Sequence, residues 1–394
     1  MPDVEPESPV SEGHILPGAE AGWVSPRPRP GKVMSFFKSI LIPPRVCFNC
    51  VCHPCKRIVH GPRRPSWNNR LELMVSTLRT ATRAIPRDPQ QFRFWADRKI
   101  PDAMLPVGAV RSKSTIDKIV VDWVWPRHFR SEIQIGSRQR KIRHKLTQEK
   151  ILEWSKLHPV VLYLHGGAYM VCSSQTHREM VYTFVTKGNF LAVVPNYRRV
   201  PEYSIVDAVD DCYRTYEYLT NDLGVDPGRI CIMGDSAGGA LAVLTMCRIR
   251  DNQLSVLVKK MPACGVQLSP WADLDDTSLD EMSRELTMPD FDYLPLDAIV
   301  MVAHEVARNM DLRDPRINAS YANLNDLPPM LVHAGEVEVL RPQIEKFVEI
   351  LPNCTYEVIP DMVHVPHMFS SVCEASAAAI ERVSQFVNSH IKSD

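Results

Sequence analysis

Residues 230–239 read ICIMGDSAGG, and they decide the fold of this chain. A buried-strand pattern runs into a tight turn, and the apolar helix pattern ALAVLTMC follows at once. Glycines two positions before and after Ser236 remove the Cβ atoms that would clash on such a bend. A strand, turn and helix that present a serine in this way are typical of a nucleophile held above a sheet. A glycine-rich turn with a capping serine is the alternative for these residues taken alone.

The composition is that of an ordinary globular protein. The chain has 394 residues, of which 45% are hydrophobic and 23% are charged, and 46 basic side chains balance 46 acidic ones. A net charge near zero gives no sign of a nucleic-acid partner, and no apolar run is long enough for a transmembrane helix. The acidic, proline-rich start lacks the features of a secretory signal. We therefore expect a cytoplasmic protein.

Strand and helix patterns alternate along the C-terminal three quarters of the chain. The strand patterns are KIVVDWVW, HPVVLYLHGG, FLAVVPNY, RICIMG, GVQLSPW, LPPMLVHAG and CTYEVIP. Helix patterns between them predict right-handed crossovers and a mostly parallel sheet covered by helices on both faces. The segment at about 273–325 breaks this rhythm and is too long for an ordinary connection. We predict that it is an insertion over the strand ends, where ligands of such sheets bind.

A second motif, HGGAY at residues 165–169, ends another predicted strand. A tetrahedral intermediate carries an oxyanion that needs N–H donors about 3 Å away. Gly166 and Gly167 can present amides without side-chain obstruction, and the amide of Ala237 adds a third donor. His165 is then predicted to order the loop and not to act as the base. The supporting residues around the two turns are His165, Gly234, Asp235 and Gly238.

A serine nucleophile needs a basic histidine, and the histidine needs an orienting carboxylate. Downstream of Ser236, the strand pattern MLVHA is followed by Glu336 and Glu338, and YEVIP is followed by His364 and His367. Because each candidate follows a predicted strand, the side chains can meet on one rim of the sheet. The residues alone leave open which glutamate is the acid and which histidine is the base.

The motifs HGGAY, NYRRVPE, GDSAGG, SPWADL, LPPMLVHAGEVEVL and DMVHVPHMF occur in one order over roughly residues 60–390. In this order the chain resembles the hormone-sensitive-lipase-like family of α/β-hydrolase fold esterases, which includes microbial and fungal carboxylesterases and arylacetamide-deacetylase-like enzymes. The resemblance implies that fold, a triad of Ser236, Glu338 and His364, and hydrolysis of small or lipophilic carboxylic esters through an acyl-enzyme without a cofactor. Ala168 replaces the third glycine of the family's His-Gly-Gly-Gly motif, and Glu338 stands where the family commonly has Asp.

The resemblance also implies a lid over the site. Residues 61–115 and the insertion at about 273–325 fill the places where the family builds a helical cap, around a core at 116–394. Residues 1–60 are predicted to be a disordered, cysteine-rich tail. The same triad serves amidases and deacetylases, and the family includes non-catalytic ligand-binding relatives that typically lack the histidine. The sequence does not separate an esterase from an amidase, and it gives no oligomeric state.

Four cysteines form a separate cluster in the tail, between an apolar patch and a basic run. They are Cys47, Cys50, Cys52 and Cys55. Cysteines in this setting suit S-palmitoylation and peripheral attachment to a membrane. The alternatives are a zinc site, which the close spacing would strain, and no special role.

Overall fold

The computed structural model has a central sheet of eight strands and a small separate sheet of three. The described residues are 22–23, 61–84, 93, 96–97, 105–129, 132–135, 142–252, 261–275, 277–278, 291–308 and 310–391. The strands are β1 (Gly22–Trp23), β2 (Ala109–Ile116), β3 (Ile119–Pro126), β4 (Glu132–Ile135), β5 (Ile142–Lys145), β6 (Val160–Leu164), β7 (Leu191–Pro195), β8 (Ile230–Asp235), β9 (Cys264–Leu268), β10 (Met330–Gly335) and β11 (Cys354–Ile359). The α-helices are α1 (Asn69–Ala84), α2 (Gln148–Ser155), α3 (Arg178–Gly188), α4 (Ile205–Glu217), α5 (Ala237–Asn252), α6 (Leu296–Ala307), α7 (Arg341–Ile350) and α8 (Glu374–His390).

The large sheet runs in the order β11-β10-β9-β8-β6-β7-β3-β2. Its six strands from β11 to β7 are parallel, whereas β3 and β2 join antiparallel at one edge. The small sheet has the order β1-β5-β4. The prediction of a mostly parallel sheet flanked by helices is confirmed.

Alternate residues of the central strands enter two different cores, because successive side chains of a strand point to opposite faces. In β8, Ile230 and Ile232 pack in one core, while Cys231 and Met233 pack in the other. The first core lies against α4 and α5, and the second lies against α3 and α8. Burial on both faces explains why these strands read as unbroken apolar runs.

Two parts of the predicted cap lie beside the strand ends. Helix α1 and the segment at 291–294 share a buried apolar cluster with the residues that follow β10 and β11. The helix pattern predicted within the insertion forms α6. The cysteine cluster at 47–55 and most of the tail lie outside the described residues. Across the described part of the chain, no helix is both long and apolar enough to cross a membrane.

Candidate active site

Ser236 lies at the sharp turn between β8 and α5. Its φ of 53° is in the left-handed region, which a non-glycine residue rarely adopts. A Cβ on Gly234 would overlap the backbone of Gly238, and a Cβ on Gly238 would overlap the backbone at the end of β6. The two glycines are therefore required by close backbone approach, and the turn projects the serine above the sheet.

His364 follows β11 and brings its ring to the serine. Its Nε2 lies 2.9 Å from Ser236 Oγ, and the residue is only 2% exposed. Burial lowers the pKa of the imidazole, but the charge of Glu338, followed by those of Asp292 and Asp235, outweighs burial and raises the pKa of His364 above 6.5. The ring thus has the position of a base, and three carboxylates stabilise its protonated form.

Glu338 follows β10 and faces the other side of the imidazole. Its Oε2 lies 3.8 Å from His364 Nδ1, which is within ion-pair range but longer than a hydrogen bond. The same oxygen accepts hydrogen bonds from Ser269 Oγ at 2.5 Å and from the amide of Gly335 at 2.9 Å. These donors fix the buried carboxylate where it can orient the histidine.

The two alternative residues pair elsewhere. The side chain of Glu336 is 39% exposed, lies 3.5 Å from Arg64 and accepts a 2.6 Å hydrogen bond from the amide of Asp361. His367 is buried, and its Nε2 lies 3.1 Å from His333 Nδ1 with the two rings stacked. The structure therefore brings Glu338 and His364, and not their neighbours, to the nucleophile.

One member of the predicted oxyanion hole is already engaged. The amide of Gly166 donates a 3.0 Å hydrogen bond to Asp235 Oδ1, which also accepts from the Tyr163 hydroxyl at 2.6 Å. Because this N–H points at a fixed carboxylate, it is not available to a substrate oxyanion. The prediction for Gly166 is corrected accordingly: its amide anchors the loop and does not form part of the hole.

A buried ion pair supports this anchor. His177 Nε2 lies 3.2 Å from Asp235 Oδ2, and both side chains are at least nine-tenths buried. Burial raises the pKa of Asp235, but the His177 charge and the hydrogen bonds from His177, Tyr163 and Gly166 outweigh it and hold that pKa below its usual value. Burial lowers the pKa of His177, but Asp235 outweighs it and raises the pKa. The pair ties the end of β8 to the start of α3, while the hydrogen bond from Gly166 ties it to the HGGAY loop.

Three other amides lie next to Gly166 in the HGGAY loop or directly after Ser236. Those of Gly167, Ala168 and Ala237 donate to no acceptor within the described part of the chain. Gly167, Ala168 and Tyr169 have φ angles of 116°, 50° and 57°, so three successive left-handed residues turn this backbone. Consecutive N–H groups in such a turn form a concave nest that suits an anion.

The contacts of His165 order the HGGAY loop. Its ring stacks on Tyr197 with centroids 4.3 Å apart, and its Nδ1 lies 2.8 Å from the carbonyl oxygen of Gly166. The Tyr197 hydroxyl donates to the His165 carbonyl at 2.5 Å. Burial, followed by the neighbouring His177, lowers the pKa of His165 to about 3. A neutral, enclosed imidazole matches the predicted ordering role.

Two residues that hold the loops of Glu338 and His364 were not singled out from the sequence. Ser269, directly after β9, holds Glu338 and also accepts a 3.0 Å hydrogen bond from the amide of Val365. Asp292, in the insertion, accepts hydrogen bonds from the amides of Val339 and His364. The strand end before SPW is a signal for Ser269. Asp292 has no comparable signal, because its partners are backbone amides.

A family model described as alpha/beta hydrolase fold matches residues 161–368, just over half of the chain and the span from β6 to the loop of His364. The chain belongs to the α/β hydrolase fold family. The matched span contains Ser236, Glu338 and His364.

Similar proteins carry esterase names. An acetyl-hydrolase of Streptomyces hygroscopicus is 31% identical over 58% of this chain and 74% of its own length. The carboxylesterase/phospholipase LipF of Mycobacterium tuberculosis is 27% identical over 58% of this chain and 61% of its own length. A solved esterase of the bacterial hormone-sensitive lipase family is 25% identical with a TM-score of 0.66, covering 81% of this chain and 97% of that one. The esterase EstE5 is 27% identical with a TM-score of 0.63, covering 80% and 97%.

These similarities confirm the resemblance drawn from the motifs. They also confirm the class of enzyme: this chain is a hydrolase of the esterase type. The roles of individual residues remain predictions that the geometry supports.

Proposed function

We propose that this protein hydrolyses carboxylic esters of small or lipophilic molecules, with Ser236 as the nucleophile. The observation that carries the proposal is the 2.9 Å separation between Ser236 Oγ and His364 Nε2 at a strained strand-to-helix turn. A nucleophile and a base within hydrogen-bond reach, with a carboxylate behind the base, are the signature of covalent acyl transfer.

In the proposed reaction, Ser236 Oγ attacks the ester carbonyl carbon while His364 Nε2 takes the hydroxyl proton. Glu338 stabilises the imidazolium that forms. The imidazolium then gives its proton to the leaving alkoxide, which departs as an alcohol and leaves an acyl group on Ser236. Water, deprotonated by the same imidazole, attacks the acyl-enzyme, releases the carboxylic acid and restores the serine.

The oxyanion of each tetrahedral intermediate is proposed to bind at the amides of Gly167, Ala168 and Ala237. Two of these amides belong to left-handed residues of the HGGAY loop, and the third begins α5. The start of a 16-residue helix adds a positive end-field to the third donor. Preorganised donors of this kind contribute through strong electrostatic stabilisation of the developing charge.

A cap of α1 and the insertion is proposed to cover the acyl and alcohol groups. Tyr293 of the insertion is buried, with its ring centroid 6.0 Å from that of His364. Trp67, just before α1, packs against Phe291 of the insertion. An apolar cover beside the nucleophile favours substrates with hydrophobic parts.

A panel of p-nitrophenyl esters from acetyl to dodecanoyl, with matched p-nitroanilides, tests this function. We expect ester hydrolysis by the wild type and loss of about 10⁶ in turnover for Ser236→Ala. Hydrolysis of anilides at rates equal to or above those of the esters would favour the amidase alternative. Binding of esters without turnover would favour a non-catalytic relative.

For the tail we propose reversible membrane attachment through lipidation of the cysteines at 47, 50, 52 and 55. The support is their place in the sequence, between an apolar and a basic segment. Fractionation of wild type against a variant with all four cysteines changed to serine tests this. Membrane association that is the same in both proteins would refute lipidation as its cause.

A further inference from the structure

Asp292 is a buried carboxylate that joins the two loops carrying the proposed acid and base. Its Oδ2 accepts a 2.7 Å hydrogen bond from the amide of Val339, directly after Glu338. Its Oδ1 accepts a 3.2 Å hydrogen bond from the amide of His364 itself. The residue is 2% exposed. A single side chain from the insertion therefore fixes the spacing of two strand-end loops whose side chains must cooperate.

The segment around Asp292 is itself held on both sides. The carbonyl of Tyr293 accepts a 2.5 Å hydrogen bond from Thr82 Oγ1, near the end of α1. The Phe291 ring packs edge-on against Trp67, and the Arg63 guanidinium lies 5.1 Å from its centroid. Contacts of Phe291 and Tyr293 therefore hold the backbone on both sides of Asp292.

A buried carboxylate needs hydrogen bonds or a positive charge to stabilise its ionised form, and hydrogen bonds stabilise that of Asp292 only in part. The amide of Tyr293 donates to Oδ1 at 2.7 Å, so three backbone amides face the carboxylate. Burial raises the pKa of Asp292 to about 6, against the charge of His364 and the hydrogen bond from Val339, which lower it. The positive charge that acts on Asp292 is that of the protonated His364 ring, which lowers the pKa of the carboxyl group.

We propose that Asp292 is a positioning residue for His364, which holds the histidine and glutamate loops in register and stabilises the imidazolium formed during acyl transfer. This inference rests on the proposed function. A carboxylate suits both tasks because its two oxygens accept from both loops while its charge acts on the ring. The carboxylates whose charges raise the pKa of His364 are Glu338, Asp292 and Asp235.

The variant Asp292→Asn tests the charge with little change of shape. With p-nitrophenyl butyrate we expect kcat to fall roughly 10- to 100-fold, the range expected for a lost hydrogen bond to a charged group, with little change in KM. Because a nearby negative charge favours the imidazolium, its removal should also shift the acid limb of kcat/KM to lower pH, by about half a unit or more. A merely structural role would not move that limb.

A matched control is Asp275→Asn. Asp275 is also a buried carboxylate after β9, but it pairs with Arg313 and is not one of the main charges that raise the pKa of His364. We expect wild-type kcat and an unshifted acid limb for this variant. A wild-type kcat for Asp292→Asn, or a reduced kcat with an unshifted limb, would overturn the proposal.

Amide hydrogen exchange in the wild type tests the joining of the loops without any substitution. We expect the amides of Val339 and His364 to be as protected as those of β10, and exchange at the rate of an open loop would overturn the proposal. This measurement serves if Asp292→Asn does not fold. If wild type hydrolyses no ester, the proposed function fails, whereas protected amides would still support the joining of the loops by Asp292.

Discussion

Ser269 Oγ donates a 2.5 Å hydrogen bond to Oε2 of Glu338, and the same hydroxyl accepts one from the amide of Val365. Ser269 follows β9, Glu338 follows β10 and Val365 follows β11. One hydroxyl therefore ties together three neighbouring strand ends. Glu338 Oε2 is therefore closer to Ser269 Oγ than to His364 Nδ1, which lies 3.8 Å away.

Ser269→Ala should impair turnover because it removes a donor from Glu338 and leaves the Val365 amide without its acceptor. Hydrogen bonds to charged groups are worth about 1.5–3 kcal/mol, so we expect kcat to fall roughly 10- to 100-fold. Ser384→Ala is the control, since that buried hydroxyl donates to the Ile380 carbonyl within α8 and has no other partner among the described residues. Equal kcat values for the two variants would refute a role of Ser269 in holding the acid.

The choice between the two glutamates is tested by the pair Glu338→Gln and Glu336→Gln. Loss of the orienting carboxylate of a triad costs on the order of 10⁴ in kcat, and we expect this for Glu338→Gln. Glu336→Gln should retain near wild-type turnover, because Glu336 lies with Arg64 and the Asp361 amide. Steady-state rates on one ester decide, and the reverse order would assign Glu336 as the acid.

The buried pair of Asp235 and His177 should contribute strongly to stability. His177→Leu leaves the Asp235 charge without its counter-charge, and breaking such a pair costs about 3–5 kcal/mol in the free energy of unfolding. Urea denaturation at neutral pH measures the loss. Asp235→Asn in the same chain should recover part of it, because the uncompensated charge is then removed. A loss below about 1 kcal/mol, as for an exposed pair, would contradict a charged pair in the interior.

The buried histidines should make the protein less stable in acid. Burial lowers the pKa of His367 to about 3. The charge of Asp235 acts in the opposite direction, and the charge of Arg382 lowers the pKa further. Burial, followed by His367 and Arg382, also lowers the pKa of His333, whose Nε2 lies 3.4 Å from Glu357. The fold therefore favours the neutral rings, and their contribution is intact above about pH 6.5 and is lost as the pH falls toward 3.

His367→Gln isolates one of these groups. Between pH 7 and pH 5, the wild type should lose about 2 kcal/mol more unfolding free energy than the variant, since an unfolded histidine gains a proton that the buried ring does not. Urea titrations at pH 7 and pH 5 give the change in unfolding free energy for the wild type and for the variant. The same loss in the two proteins would show that His367 does not resist protonation in the fold.

The sequence predicts which loops carry the candidate site residues, and the family resemblance selects Glu338 and His364 within them. Ser236 comes directly after β8, and Glu338 and His364 lie in the loops that follow β10 and β11, so parallel strands bring all three to one rim. The sequence was not sufficient for Asp292, which is separated by 72 positions from His364 and binds backbone amides that leave no mark in the sequence. The HGGAY pattern indicates bare amides, but only the structure shows that Asp235 takes the one from Gly166.

The elements missed at the start of the core have a related cause. Strand β2 has the sequence AVRSKSTI and forms the edge of the sheet, where polar side chains are tolerated and the apolar signal is weak. Helix α2 has only eight residues, too short for a clear periodic pattern. In the buried central strands, in contrast, nearly every residue is apolar, so the sequence pattern of a strand is strong.

Peptide mapping after treatment with a fluorophosphonate probe tests whether Ser236 and His364 act as one unit. We expect one equivalent of probe per chain, bound to the peptide that contains Ser236, no labelling of Ser236→Ala, and labelling slowed by several orders of magnitude in His364→Gln. Equal labelling of wild type and Ser236→Ala, or an unchanged rate in His364→Gln, would contradict a serine activated by that histidine.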